Sequence, residues 1–504
     1  MPIITSSRQQ NKESPWLIFA TIWGSVITAS FLASLTTSAP LPTFLEVAIH
    51  RPIIFITALF IITHIITRFS KRSFTEQLPH VVRLVPWALM IGVILSWIGL
   101  WNDGSGTQAL PLSQAGLFVI TGGILPFKFG PEILLRGSVL ALVLLSAVSF
   151  YKQSRTKYSK SILIGIVAWI LTSFILLIQT WMAYAAAWSR NLSIAHSQDA
   201  FRTLSLSHLN SYWSNFQADR FFLGIGKQLE TSLMLSSASV LFLIASACLL
   251  LGLWKSRGIK VRDLVKRIWL HPFLALGSSL LVGLIVGLRI NRLRWHALDV
   301  VSILLLLAVF LSWYTYVFLK KDVDRVFSSS ALLIMSFVGG LLLGWPVFLI
   351  ILSLFMIDWL LYSRFESWAE MKYRHVIHFA FMASGCVMLG GTFAARSPVL
   401  PTVVFPLAIA WGVLAAAIEI VKQQKPGAFI RYRISIPLQL LIAAIGGVVF
   451  AVVLRSIIAL AVLALLLLLL YWLGKNQTRW NRYFILSLVA FGWINTILVT
   501  FFSL

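Results

Sequence analysis

Charge is scarce in this sequence of 504 residues: only 11% are Asp, Glu, Lys or Arg, against about 25% in an ordinary soluble domain. Apolar residues make up 59%, and a soluble chain of that length could not hide so much apolar surface. Acids are scarcer still, 16 against 41 Lys and Arg. Cysteine is nearly absent. Cys248 and Cys386 each stand alone inside an apolar run, which excludes a disulfide framework and a thiolate zinc site. A secretory leader is not expected either. The first apolar run, from Trp16 to about Leu35, is too long for a signal-peptide core and has no small-residue cleavage site, so it reads as a membrane helix.

What is present is one long apolar run after another. That pattern predicts an all-α, polytopic helical membrane protein. About fifteen spans are expected, near 16–37, 51–69, 84–101, 132–150, 161–188 and 229–254, and then 273–289, 298–319, 328–343, 345–362, 374–394, 401–421, 434–454, 456–474 and 482–503. Six fall before the basic segment Lys255–Arg267 and nine after it, so two domains are predicted, 1–255 and 256–504. The segment itself has the charge density of a membrane-surface helix or linker. The apolar stretch Leu112–Phe127 ends at a Pro-Gly-rich break and is too short to span comfortably.

The net charge of +25 would point to nucleic acid in a soluble protein. Here the basic residues sit in short loops between apolar runs, where they set orientation, and no nucleic-acid partner is expected. With the N-terminus in the cytoplasm, 29 of the 41 Lys and Arg fall in inside segments. This predicts an integral protein of the cytoplasmic (inner) membrane of a prokaryote, with an outer loop over 189–226 and the C-terminus outside. That loop interleaves His196 and His208 with charges and aromatics, as an interfacial cap would, and shows no ligand spacing. Asn191-Leu-Ser193 fits a glycosylation sequon and matters only in a glycosylating host.

The few acids of the second half gather on one predicted face. Asp322 and Asp324 follow the span 298–319; Asp358, Glu366 and Glu370 surround the end of 345–362; Glu419 closes 401–421. Lys320, Lys321, Arg325, Arg364, Lys372, Arg374, Lys422 and Lys425 accompany them. Carboxylates that hold Mg²⁺, with Lys and Arg neutralising phosphate oxygens, suit a diphosphate substrate. Ordinary loop charge flanking membrane helices is the competing reading of the same residues.

With these motifs in place, the second half resembles the UbiA superfamily of intramembrane prenyltransferases. The resemblance rests on nine helices and on the lead-in Val261–Pro272, whose His271-Pro272 stands where the family commonly has Arg-Pro. Two further stretches carry it: Tyr316–Arg325, which is similar to the first acidic motif, and Leu360-Leu-Tyr-Ser-Arg364, which is similar to the end of the fourth helix. Ile418–Lys422 lies where the second acidic motif falls. The resemblance implies a nine-helix bundle over 256–504 that acts on or binds an isoprenoid diphosphate or polyprenyl phosphate. Asp322, Asp324 and Glu419 would be its catalytic and Mg²⁺-binding residues. Lys321, Arg325, Arg364 and Lys422 would bind phosphate. Lys320-Lys321 replaces the family's Asn-Asp, and Gln423 stands where a second acid would fall. The alternative is a non-catalytic scaffold or accessory subunit of a membrane complex that binds lipid, quinone or pigment.

Weaker signals complete the reading. Glu366, Glu370, His375 and His378 have helical spacing that would suit a metal, against a plain helix start with interfacial histidines. His64 lies inside a span and is expected to find a hydrogen-bond partner. Arg136 also lies within a span. A lipid-linked sugar transferase would want an early outer acid, for which Glu46 and Asp103 are the candidates. A channel or carrier is disfavoured because paired intramembrane charges are not evident. The first half is faintly similar to DoxX-like membrane proteins through Arg83-Leu-Val-Pro-Trp87.

Overall fold

Apolar runs in a membrane must satisfy their own backbone polar groups, and helices do so within one segment. All regular structure among the described residues is accordingly helical, with no strand. The computed structural model describes residues 15–34, 46–70, 72–98, 112–121, 133–154, 158–189, 191–192, 196–197, 199–203, 228–256, 272–291, 297–319, 326–361, 374–395 and 404–422, with a few positions between 444 and 494. Among the described residues, seven helical segments are long and apolar enough to cross a membrane: Glu46–Phe69, Phe74–Ile98, Leu134–Lys152, Tyr158–Leu176, Leu233–Leu253, Val300–Val317 and Arg374–Ala395. Five shorter apolar helices accompany them. The expected spans 434–454, 456–474 and 482–503 lie almost wholly outside the described residues.

The chain forms two compact units, 1–261 with 296–342, and 262–295 with 343–504. The boundary read near residue 255 and these units therefore assign 296–342 differently. The first unit begins with α1 (Pro15–Ser34), then a π-helical turn Glu46–His50 that runs straight into α2 (Arg51–Phe69). Pro52 sits in the first turn of α2 and cannot donate to the turn before it; the Ala48 carbonyl there accepts from Trp23 Nε1 at 2.7 Å. α3 (Phe74–Val82) starts on a capping box: the Ser73 amide donates to Glu76 Oε2 at 3.0 Å. A turn at Arg83-Leu84 passes α3 into α4 (Val85–Ile98). Then come α5 (Leu112–Ile120), α6 (Ile133–Ser154), α7 (Tyr158–Leu176), α8 (Ile178–Ser189) and α9 (Gln228–Ser256). The run read as one span over 161–188 is two helices. At Leu177 the amide is shared between the carbonyls of Ser173 and Phe174, a tightening typical of a helix end. α5 is only nine residues long, as its short apolar run implied.

α4 displays the membrane solution plainly. Ala88, Leu89, Gly92, Val93 and Ser96 are buried, whereas Trp87, at 64% exposure, Met90, Ile94 and Ile98 stand on the outer face. Both faces are apolar, and lipid is the solvent that suits the outer one. Gly92 faces the Leu134 carbonyl and Ser138 of α6, so the two helices pack closely and antiparallel. α2 and α9 run parallel and are tied by side chains. Thr57 Oγ1 donates to the Leu241 carbonyl at 3.2 Å, and His64 Nε2 reaches the Cys248 carbonyl at 2.6 Å. The partner expected for His64 is thus a backbone oxygen. The unit closes with α11 (Ala297–Leu319) and α12 (Val326–Leu343). Gly339 of α12 packs against Val309 of α11 and Phe242 of α9.

The second unit contains α10 (Pro272–Asn291), α13 (Trp345–Trp359), α14 (Arg374–Ala395) and α15 (Val404–Lys422). Gly344, at φ 115°, takes a conformation open mainly to glycine, and Pro346 begins α13. Gly283 and Gly287 of α10, spaced as G-x-x-x-G, lie against the backbone at Val387 and Gly391 of α14. Gly390 returns the contact onto the Leu280 carbonyl. Small residues let two helices in lipid approach until dispersion holds them.

Candidate functional site

The register of the second unit decides which side chains share an end. Gly283 meets Val387 and Gly287 meets Gly391, so α10 and α14 are parallel. Gly385 meets Leu354 while His378 meets Asp358, and Gly412 meets Ser384 and Ala380 while Gly391 meets Val404, so α13 and α15 both run antiparallel to α14. One end of the unit therefore collects the start of α10, the end of α13, the start of α14 and the end of α15.

That end holds most of the ionisable groups described in the unit. Asp358, 0% exposed, accepts a 2.8 Å hydrogen bond from His378 Nε2, from α14 to α13. Arg374 and His375 occupy the first turn of α14 and are half-buried. Glu419 is half-buried in the last turn of α15, two turns beyond Gly412 and hence level with that first turn. A carboxylate bonded to an imidazole orients the ring and selects its tautomer. The Asp358–His378 pair can thus hold or pass a proton, and Arg374 places a fixed positive charge at the same end.

The residues read from sequence fare unevenly. Glu419 lies at this end. Asp322, Asp324, Lys321, Arg325 and Arg364 lie outside the described residues, as do Glu366, Glu370, His208 and Asp103. Lys422 ends α15, with its side chain outside the description. Asp322 and Asp324 fall between α11 and α12, which belong to the first unit, whereas Glu419 belongs to the second. Among the described residues no three His, Cys, Asp or Glu groups converge as metal ligands. With Asp358 engaged by His378, the described donors do not by themselves form a Mg²⁺ site. Of the four residues with metal-like spacing, His375 and His378 are described, and His378 Nε2 is bonded to Asp358.

The first unit supplies a second buried pair. Arg51 donates to Glu46 at 2.7 Å across the π-helical turn, and His50 Nε2 lies 3.1 Å from Ser237 Oγ of α9. Arg136, 2% exposed, lies over the Phe118 ring of α5 at 5.5 Å. Among the described residues the apolar helices thus hold a buried ion pair, Glu46–Arg51, and a buried carboxylate–imidazole pair, Asp358–His378, where the sequence shows no paired intramembrane charge. The signal that could have found them is simple: an acid within Phe355-Met-Ile-Asp358-Trp-Leu, or beside a helix start carrying Arg51, is too costly to stand alone. No family model, curated protein or solved structure matches the chain.

Proposed function

We propose that this integral membrane protein is of the UbiA-like prenyltransferase type and binds or acts on an isoprenoid (di)phosphate at the cytoplasmic face. The observation that carries the reading is the common end of α10, α13, α14 and α15, which brings together the Asp358–His378 pair, Arg374 and Glu419. Arginine and imidazole groups recognise phosphate, and an apolar helix bundle accommodates a prenyl chain. Lys321, Arg325, Arg364 and Lys422 complete the phosphate contacts in this proposal. Asp322, Asp324 and Glu419 supply carboxylates for Mg²⁺. The N-terminus is cytoplasmic and the C-terminus outside, in the inner membrane of a prokaryote.

The test is binding of tritiated geranylgeranyl diphosphate to the purified full-length protein, with and without Mg²⁺. Saturable binding that Arg374→Gln weakens at least tenfold supports the proposal. No saturable binding by the wild-type chain overturns it, as does cysteine labelling that puts Asp322 and Glu419 on opposite membrane faces. A second reading, a non-catalytic scaffold or accessory subunit of a membrane complex, draws on the engagement of Asp358 by His378. Co-purification of a stoichiometric partner without diphosphate binding would favour it.

A further inference from the structure

The proposed function makes no use of one end of the first unit. α4 runs antiparallel to α6, so the α3–α4 corner and the C-terminal end of α6 lie together, next to the last turns of α2. A pocket opens there. Gln77, His80, Ser146 and Ser149 form its polar wall, and Ile66 and Phe150 belong to its apolar one. Its open space, mouth included, is about 210 Å³. The enclosed part is only water-sized, so a ligand would seat one group at the mouth and extend outward. Ser146 Oγ is buried and has no hydrogen-bond partner among the described residues.

Three cations stand near lining residues in the chain, at the helix ends around the pocket. Arg68 follows Ile66 by two residues, Arg83 adjoins Leu84 of the pocket, and Lys152 follows Phe150 by two residues. All three are exposed. Among the described residues Glu76 is the only acid at this end, and its carboxylate accepts from the Ser73 amide. From the same corner the exposed apolar face of α4 leads away through Trp87, Met90 and Ile94. Fixed positive charge, hydroxyl and imidazole groups, and an adjoining apolar stripe match an amphipathic anion in every part.

We infer that this pocket binds the phosphate group of an anionic phospholipid, with the acyl chains along α4. Free inorganic phosphate shares the headgroup chemistry but makes no use of the stripe. Native mass spectrometry of the full-length protein, titrated with phosphatidylglycerol, phosphatidylcholine and inorganic phosphate, separates these sources. Phosphatidylglycerol is expected to bind at least tenfold more tightly than phosphatidylcholine and to withstand millimolar inorganic phosphate. A cation near a membrane surface is worth about 1 kcal/mol, or roughly fivefold. The exposed pair Arg83→Gln/Lys152→Gln should therefore weaken phosphatidylglycerol about 25-fold without altering the melting temperature. Ser146→Leu, which fills the pocket, should abolish the preference. Displacement of the lipid by inorganic phosphate would overturn the lipid assignment. Equal binding of the two lipids, or an unchanged affinity in the double variant, would overturn the site.

Discussion

Two helix pairs, one in each unit, are held together in different ways. In the first, the parallel pair α2 and α9 is joined by side-chain bonds to backbone carbonyls, from Thr57 to Leu241 and from His64 to Cys248. A buried ion pair there, Glu46–Arg51, is local to one helical segment. In the second, α10 and α14 meet through glycines with backbone against backbone, and the ionisable pair Asp358–His378 bridges two helices. Lipid offers no hydrophobic drive for helices to associate, so contact geometry and polar bonds must do it. The comparison teaches that a substitution of one type should have unequal consequences depending on how the helix that carries it is held.

The largest effect is expected at Gly283→Val or Gly390→Val. Each side chain would have to occupy the place of a backbone atom of the facing helix, which no rotamer change relieves. Overpacking costs about 1–3 kcal/mol or more, and these sites should reach the upper end, read as a loss of folded protein in a detergent melt. Gly24 of α1 has nothing within 4 Å of a built Cβ, so Gly24→Ala should leave the melt unchanged or raise it slightly. A similar loss at both glycines would break the comparison.

Next comes the bridging pair. Asp358→Ala removes the acceptor from the buried His378 imidazole and should cost about 1–3 kcal/mol, whereas Asp358→Asn keeps an acceptor and should cost clearly less. A double-mutant cycle with His378→Ala should show coupling of about 1–3 kcal/mol; additive losses would mean the two groups act separately. In the first unit Thr57→Val removes only the hydroxyl bonds to the carbonyls of Ile53 and Leu241. Interhelical bonds of that kind average about 0.6 kcal/mol in membranes, and a shift of this size in chemical unfolding would sharpen the contrast. Smallest of all should be Ile98→Ala on the exposed face of α4, below about 0.5 kcal/mol. A larger loss there would show that protein, not lipid, covers that face.

Much of the helical layout was legible because an apolar run long enough to span has few alternatives in lipid. The short α5 and the partner for His64 followed from the same logic. The break at Leu177 was not legible, since Leu176-Leu177-Ile178 carries no breaker and the change lies in carbonyl sharing. The candidate site was half legible. That Asp358 and Glu419 share one end could be read from loop alternation. The bond between Asp358 and His378 could not, because sequence separation does not say which faces of α13 and α14 meet. For the same reason the paired charges Glu46 and Arg51 were overlooked, although an i, i+5 spacing beside a helix start hints at them.

By itself, then, the sequence determined the class of solvent and the helical state: few charges and long apolar runs admit only a helical protein in lipid, because the backbone must bond within each segment. Only the tertiary structure decided which helices are neighbours, and with them the pairing of Asp358 with His378, the glycine contact of α10 with α14, and the pocket that Ser146 lines. Apolar helices have nearly equivalent faces, so the small differences that select a neighbour, a missing Cβ or one hydroxyl, act only when two helices are already side by side.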